Sequence, residues 1–527
     1  MNDHHHHHAL QVAVVATVLG GCAIGPDYQR PEVASPPYYR LDTGALTIEA
    51  DNAWWNSFDD PVLTRLVDTA LRNSYDVRIA TARIDEFRGQ LMVARSAFFP
   101  QINATASAAR QRTGAFNTLG GTPFSAFSGP HNNYQMLANA SWEIDVWGRI
   151  RRQAEGAEAD LWNAEYTRRG TVLALAASVM QGYATLRGLD AQLDIARQTL
   201  EVRAKATDIF RQRYEGGVVS QVELVQAEND YYAAEASIPP IRTSISQTEN
   251  ALSVLLGVEP GPIERGKPYD ALLAPAVGPD MPAMLLSRRP DVLEAEQAAV
   301  AANARLGAAE ALYLPAVDLS AMFGAIAATP AGLWQSASRV WGVGAGLTQP
   351  IFQGGAIRGQ VQSAGAVRTQ AMLAYQASVL NALADVNNAL VANMEARIRV
   401  ASLRRQEQAL EIYADQANAR YEGGYTSYLE VTDAREKLFN AQLAAVQGQV
   451  DVLTGVAALY KSLGGGWPAV PAEVRDGGMV GDARQLPASS QATKPPTQPT
   501  TQPTTQPTLQ TSPQAATLTT RERQASR

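Results

Sequence analysis

The stretch from Tyr428 to Ala434, "YLEVTDA", carries two carboxylates, Glu430 and Asp433, whose spacing puts both within one turn of a helix. Two like charges that close attract cations and resist tighter packing, or else stand as two solvated acids on a helix flank. Other residues able to do chemistry are few. "GPIERGKP" from Gly261 approaches a phosphate-binding loop, but Pro268 stands where a Ser or Thr should hold magnesium, and it would disturb the helix that should follow. Outside His4 to His8 only His131 remains, so neither a histidine metal site nor a histidine triad can be assembled. The histidine run reads as a tag or an unusual leader, with nickel-type metal binding as the alternative. The single cysteine, Cys22, excludes an intrachain disulfide and any cysteine-cluster metal site. No enzyme chemistry and no cofactor is expected.

Cys22 is more telling by its place. It closes "ALQVAVVATVLGGC", an apolar run of about h-region length ending in Leu19-Gly20-Gly21-Cys22. This resembles a bacterial lipoprotein signal, although "MNDHHHHH" ahead of it lacks the Lys or Arg that such signals carry. The resemblance implies removal of residues 1–21 and acylation of Cys22. The alternatives are an ordinary signal peptide or a small buried cysteine. Acyl chains contribute about 0.8 kcal/mol per buried CH2, enough when several act together to hold the new terminus at a membrane. Ala23, rather than an aspartate, follows Cys22, and by resemblance to sorting rules known in some bacteria this favours the outer membrane.

These residues sit in a chain that says nearly the same thing twice. "RYEGGVVSQVELVQAE" from Arg213 returns as "RYEGGYTSYLEVTDAR" from Arg420, pairing Gly216 with Gly423, Gly217 with Gly424, Ser220 with Ser427 and Glu223 with Glu430. The segment from Ser74 matches that from Arg289, and "WEIDVWG" from Trp142 can be laid more loosely on "LTQPIFQ" from Leu347. Each half reads helix, strand pair, long helix, glycine turn, helix. The expected organisation is a lipidated extension over 22–60, a first repeat over 61–265, a second over 266–467, and a segment over 468–527 ending in a disordered Thr/Gln/Pro tail.

Composition agrees with long surfaces that face other helices or lipid. Charged residues are 18% of the 527, below the roughly 25% usual in soluble domains, and the net charge of -7 gives no basic footprint for nucleic acid. From Arg151 to Arg213 and from Arg358 to Arg420 the chain has no proline, which predicts two helices about 90 Å long at 1.5 Å per residue. Heptads follow each glycine turn: Leu224, Tyr231, Ile238, Ile245 and Leu252 in one half, Leu438, Ala445, Val452 and Leu459 in the other. They predict helices packed side by side, with Ala434, Ala441, Gly448 and Gly455 allowing close approach. Pro239 and Pro240 interrupt the first series, so a break or kink is expected near Ile238.

Beyond the leader no stretch reads as a membrane-spanning helix, which leaves strands to cross a bilayer. Ile102, Ala104, Ala106 and Ala108 share one face of a strand, as do Val317, Leu319, Ala321 and Phe323. Partner strands fall near 135–146 and 339–352. Two soluble hairpins are the alternative. Four strands cannot close a barrel, and an open edge in lipid leaves backbone groups unpaired at several kcal/mol each, so chains must share one. Two copies would give eight strands with a filled interior; three would give twelve and a lumen.

"CAIGPDYQRPEV", "DNAWWNSFDDPVL", "SWEIDVWGRIRR", "SIPPIRTSISQTENALSVLLG", "QPIFQGGAIRGQV" and both "RYEGG" turns together resemble the TolC-like outer-membrane factors, in the lipoprotein (NodT/OprM-type) branch of tripartite multidrug efflux. The resemblance runs from about Cys22 to Trp467. It implies a mainly α fold with a membrane β-barrel: a homotrimer whose twelve strands, four per chain, continue into a periplasmic tube of twelve helices. It also implies partnership with a periplasmic adaptor and an inner-membrane proton-driven RND transporter. The glycines Gly216, Gly217, Gly423 and Gly424 then form the inner tips, each supplying positive φ, with Ser220 and Ser427 as N-caps. Arg213, Ser220, Arg420 and Ser427 become adaptor contacts. Matching positions in the family line the periplasmic constriction, so Leu429 would narrow the pore while Glu430 and Asp433 form acidic rings. The first half has Val222, Glu223 and Gln226 there and should contribute less. The rivals are a duct of the same family serving type I protein secretion, and a structural periplasmic coiled-coil lipoprotein.

Overall fold

A computed structural model describes residues 23–34, 39, 53–112, 130–272, 274–275 and 285–465. They fall in the first of two units into which the chain divides; the second, Val470–Arg527, lies outside the described residues with the Thr/Gln/Pro segment, as do Cys22 and the histidine run. The first series of elements is α1 (Pro61–Asn73), α2 (Tyr75–Ser96), β1 (Gln101–Gln111), β2 (His131–Ile144), α3 (Arg149–Glu215) and α4 (Gln221–Leu256). The second is α5 (Pro290–Glu310), β3 (Ala316–Ala327), β4 (Arg339–Thr348), α6 (Ala356–Glu422) and α7 (Tyr428–Ser462), with a helical turn at Leu285–Arg288 before it.

The long helices α3 and α6 have 67 residues each, about 100 Å at the α-helical rise. Both are somewhat longer than the proline-free runs predicted. At their N-terminal ends α2, α3, α5 and α6 pack in that order; towards their C-terminal ends α4 packs on α3, α7 on both α3 and α6. Glycines in the helices leave room for large side chains of the neighbour: a Cβ on the heptad residue Gly448 would lie 2.9 Å from Leu403 Cδ1, and one on Gly188 in α3 only 2.3 Å from Val450 Cγ2. The four strands form one antiparallel sheet in the order β1-β2-β3-β4, so the halves join through β2 and β3. β2 spans 131–144 rather than 135–146, and β4 stops at Thr348, four residues short of the expected end.

Two expectations fail. Of the break or kink expected near Ile238, the break is absent: α4 continues through Pro239 and Pro240. Each proline removes one donor, which frees the carbonyls of Glu235 and Ala236, but these residues and both prolines lie on the exposed face while Ala234 and Ile238 are buried. Water can serve those carbonyls, and the buried heptad face is undisturbed. Contrary to the reading that no segment after the leader could cross a bilayer as a helix, α7 is long and apolar enough by composition, with a mean hydropathy of 1.2 over its best 18 residues. That window is 56% buried against the neighbouring helices, as a core helix would be.

Polar residues far apart in sequence hold this frame. Asp60, 2% exposed, caps α1 through Val62 N (2.8 Å) and also accepts from the Tyr183 hydroxyl (2.8 Å) and Lys267 N (3.0 Å). The Nζ of Lys267, the lysine of the near-miss phosphate loop, pairs with Asp59 at 2.5 Å. Arg289, 7% exposed, donates to Asp291, to Asp385 (3.0 Å) and to the Ser462 carbonyl (2.9 Å), tying the start of α5 to α6 and the end of α7. The segment after Cys22 is strapped across α3 and α5. Arg152 donates to the Ile24 and Gly25 carbonyls (3.3 Å each) and to Asp27 (2.7 Å), Asn303 Nδ2 to the Pro26 carbonyl (2.6 Å), and Arg30 forks onto Glu296 (2.8 and 2.7 Å).

Candidate functional site

The function must be built between two ends of the molecule, the sheet and the glycine turns, separated by the length of α3 and α6. The register of the sheet gives its two faces different characters. Ile102, Ala104, Ala106 and Ala108 stand opposite Ala140, Ala138, Met136 and Tyr134, which stand opposite Ala321, Phe323, Ala325 and Ala327. β4 continues this face with Trp341, Val343, Ala345 and Leu347. The other face presents Asn103, Thr105, Ser107, Asn139, Ser141, Asp318 and Ser320, with Gly342, Gly344 and Gly346 on β4, and Leu137, Met322 and Ile326 among them towards its outer half. An apolar face that leaves Ile102, Phe323, Trp341, Val343 and Leu347 exposed at 63 to 77% is not a soluble hairpin surface; it is a face for lipid, with the polar face turned to a lumen. β1 and β4 are free edges, as a sheet to be closed by further copies requires.

The joint between sheet and tube is built by "WEIDVWGRIRR". Asp145 accepts from Ile150 N (3.0 Å) and Arg151 N (2.8 Å), capping α3 from outside because its N-cap is the left-handed Gly148. Arg149 forks onto Glu143, and Trp147 Nε1 donates to the Pro315 carbonyl (2.8 Å).

At the far end, both glycine turns are Schellman closures. Val218 N bonds the Arg213 carbonyl (2.8 Å) and Gly217 N that of Tyr214 (2.9 Å); Tyr425 N bonds that of Arg420 (2.8 Å) and Gly424 N that of Tyr421 (2.9 Å). Only the second glycine of each pair has positive φ, Gly217 at 72° and Gly424 at 77°. Gly216 (-79°) and Gly423 (-78°) are right-handed, which corrects the reading that all four supply that conformation. Ser220 caps α4 in a full capping box with Glu223. Ser427 occupies the same position before α7, yet its side chain makes no capping bond. Glu430 has turned away to Arg420 (2.8 Å) and to the Thr426 hydroxyl. Where Thr426 supplies that hydroxyl, the first half has Val219, and this difference accounts for the switch.

Leu429 is 61% exposed, and Asp433 pairs with Lys437 at 2.7 Å. Glu430 and Asp433 thus share a helix turn, each already engaged by one cation. Next to them lie residues that sequence reasoning missed. Phe210 packs on Tyr428 (4.3 Å between centroids) and Tyr421 (6.1 Å), binding the two turns of one chain together. The Arg213 and Glu223 side chains lie beside the Tyr421 hydroxyl, whose pKa is raised by burial and then by Glu223. Thr432 donates to Asp230 Oδ2 (3.1 Å), and burial holds the Asp230 carboxyl above the usual carboxylate range. The only sequence signal for Asp230 was its place on a heptad helix beside Tyr231.

With a lipid-facing sheet, a lumen face and paired helical tips in place, the comparisons decide the class. The profile of the family described as outer membrane efflux protein matches residues 66–258 and 281–465. The chain belongs to that family. Among its relatives, a toluene efflux pump outer membrane protein of Pseudomonas putida, TtgC, is 32% identical over 466 residues, covering 87% of this chain and 95% of TtgC. The cation efflux system protein CusC of Escherichia coli O157:H7 is 28% identical over 459 residues, covering 86% and 97%. The solved outer-membrane channel OprN superimposes with a TM-score of 0.76 at 31% identity, over 85% of this chain and 100% of that one. As in this family, three copies close a twelve-stranded barrel in the outer membrane that continues as a twelve-helix tube into the periplasm.

Proposed function

We propose that this outer membrane efflux protein is the exit duct of a tripartite pump, receiving small molecules through a periplasmic adaptor from an inner-membrane RND transporter and passing them outward without chemistry of its own. The observation that carries the reading is the sheet: four strands with one apolar face, one polar face and two free edges, set on the ends of helices about 100 Å long. The range of relatives, one named for toluene and another for cations, supports a duct whose cargo is chosen upstream. Leu429, Glu430 and Asp433 form its periplasmic constriction, the leucine narrowing it and the acids favouring cations. The tips around Arg213, Gly216, Gly217 and Ser220 and around Arg420, Gly423, Gly424 and Ser427 receive the adaptor's helices. Cys22 carries the lipid anchor; Ala23, the next residue, lies against Gly148 at the joint of sheet and tube.

The test is single-channel conductance of the purified trimer in a planar bilayer, wild type against Leu429→Ala/Glu430→Ala/Asp433→Ala. Small cation-preferring currents that rise several-fold in the variant are expected. Equal currents would discard the gate and keep the duct. Silence from both, with insertion confirmed, would favour a structural lipoprotein.

A further inference from the structure

The charges of the sheet are segregated along its length. The helices join the sheet at one end, which is therefore the periplasmic side; β1 and β3 end, and β2 and β4 begin, at the other, outer end. The carboxylates of the strands, Glu143 and Asp318, sit opposite each other on the lumen face at the periplasmic end. Along the sequence, 109–134 and 325–341, which hold the outer ends of the four strands, contain Arg110, Arg112, His131 and Arg339 and no Asp or Glu, in a chain whose net charge is -7. This outer region is the basic exception to an acidic protein.

The side on which these arginines stand matters more than their number. Register places Arg110 on the same face as Ile102, Ala104, Ala106 and Ala108, and Arg339 on the same face as Trp341, Val343 and Leu347. Arg112 is the first residue past the end of β1, two on from Arg110. All three arginines are exposed, and among the described residues none of them has an ion-pair partner. They belong to the lipid side of the barrel, where an unpaired arginine costs about 2–4 kcal/mol at mid-membrane and is tolerated at the interface. Trp341, 75% exposed and next below Arg339 on that face, pairs across the sheet with Phe323, 63% exposed, and the two mark the aromatic belt at which the apolar band ends. The arginines therefore stand at headgroup level.

Closure brings them together. β1 runs outward and β4 runs inward, and each is a free edge. In the closed trimer the outer end of β1 meets the outer end of β4 from the next copy, so Arg110 and Arg112 of one chain share a seam with Arg339 of its neighbour. We propose that each of these three seams binds the phosphorylated glycolipid of the outer leaflet, the guanidinium forks gripping its phosphates while the acyl chains lie on the apolar face below. Guanidinium matches phosphate geometry with two parallel charge-assisted hydrogen bonds, and the absence of nearby carboxylates leaves no internal competitor. The seam rests on the barrel and is independent of the gate.

The experiment is native mass spectrometry of the full-length trimer titrated with bis-phosphorylated lipid A, with dephosphorylated lipid A as control. The wild type is expected to bind up to three molecules per trimer and to discriminate against the dephosphorylated form. Arg110→Gln/Arg112→Gln/Arg339→Gln should bind about tenfold or more weakly, the loss expected for charged hydrogen bonds. Arg-to-Lys replacements at the same positions should fall between, keeping charge without the fork. Equal binding of the two lipids by the wild type, or undiminished binding by the Gln variant, would overturn the seam. If the Gln variant fails to give the trimer mass, the wild-type discrimination between the two lipids decides. Because these side chains face lipid, the conductance of the variant should match wild type, which separates a failed seam from a failed duct.

Discussion

The two glycine turns have nearly the same sequence and the same backbone, and they do different things. In the first, Ser220 and Glu223 satisfy each other in a capping box, and the acid is spent on its own helix. In the second, one hydroxyl at Thr426 in place of Val219 draws Glu430 off the cap and towards Arg420 and the turn. A duplicated turn thus keeps its hydrogen-bonded closure, which both helices need, while a single side chain decides whether its glutamate stabilises its own helix or ties back to Arg420 across the turn. The aromatic cluster shows the same divergence: Phe210, Tyr421 and Tyr428 meet once per chain, because their repeat counterparts are Ala417, Tyr214 and Gln221.

The largest test of this asymmetry is functional. Leu429→Ala/Glu430→Ala/Asp433→Ala should raise single-channel current several-fold, whereas Val222→Ala/Glu223→Ala/Gln226→Ala should change it little; equal effects would mean the halves gate alike. Next come the glycines, read by thermal unfolding of the trimer. Gly217→Ala and Gly424→Ala should each lose roughly 1–2 kcal/mol, because both place a Cβ in the left-handed region. Gly216→Ala should be near neutral, since its Cβ would meet nothing nearer than 3.4 Å, while Gly423→Ala would press on the Tyr425 ring at 2.8 Å and should lose about 1 kcal/mol. Smaller still are the serines. Ser220→Ala should loosen the first turn of α4 by about 1 kcal/mol in amide hydrogen exchange, and Ser427→Ala should leave α7 within a few tenths.

The smallest expected effect concerns pH. Burial raises the Asp230 pKa, so the folded chain holds that proton more tightly than the unfolded one. Its contribution to stability is therefore present below the unfolded carboxylate pKa and is lost as pH rises through the raised folded value. Asp230→Asn should flatten that part of the stability profile while still accepting from Thr432; a profile unchanged from wild type would show that the carboxylate is solvated after all.

Much of the frame could be read from the chain. Strand parity, proline-free runs and the heptads each report a local period, and the structure keeps all three, including the free edges that demand further copies. What could not be read were the partners of Asp60, Arg152 and Arg289. Their long-range hydrogen bonds reach residues 93 to 207 positions away, and no period encodes such pairings. The expected break at Ile238 failed for a related reason: whether a proline pair breaks a helix depends on which side faces solvent, and tertiary packing sets that side. The expected cap from Ser427 failed because its partner glutamate answers to Thr426, a neighbour outside the capping pattern.

The strap over α3 and α5 has a mechanical consequence. Tension on the chain ahead of Ala23 runs along the strap, and its bonds to Arg152, Asn303 and Glu296 are loaded side by side in shear. A zipper peeled from one end fails one tooth at a time; a lap joint must fail all at once. Any tug transmitted through Ala23 is therefore delivered to the two helices at the foot of the barrel.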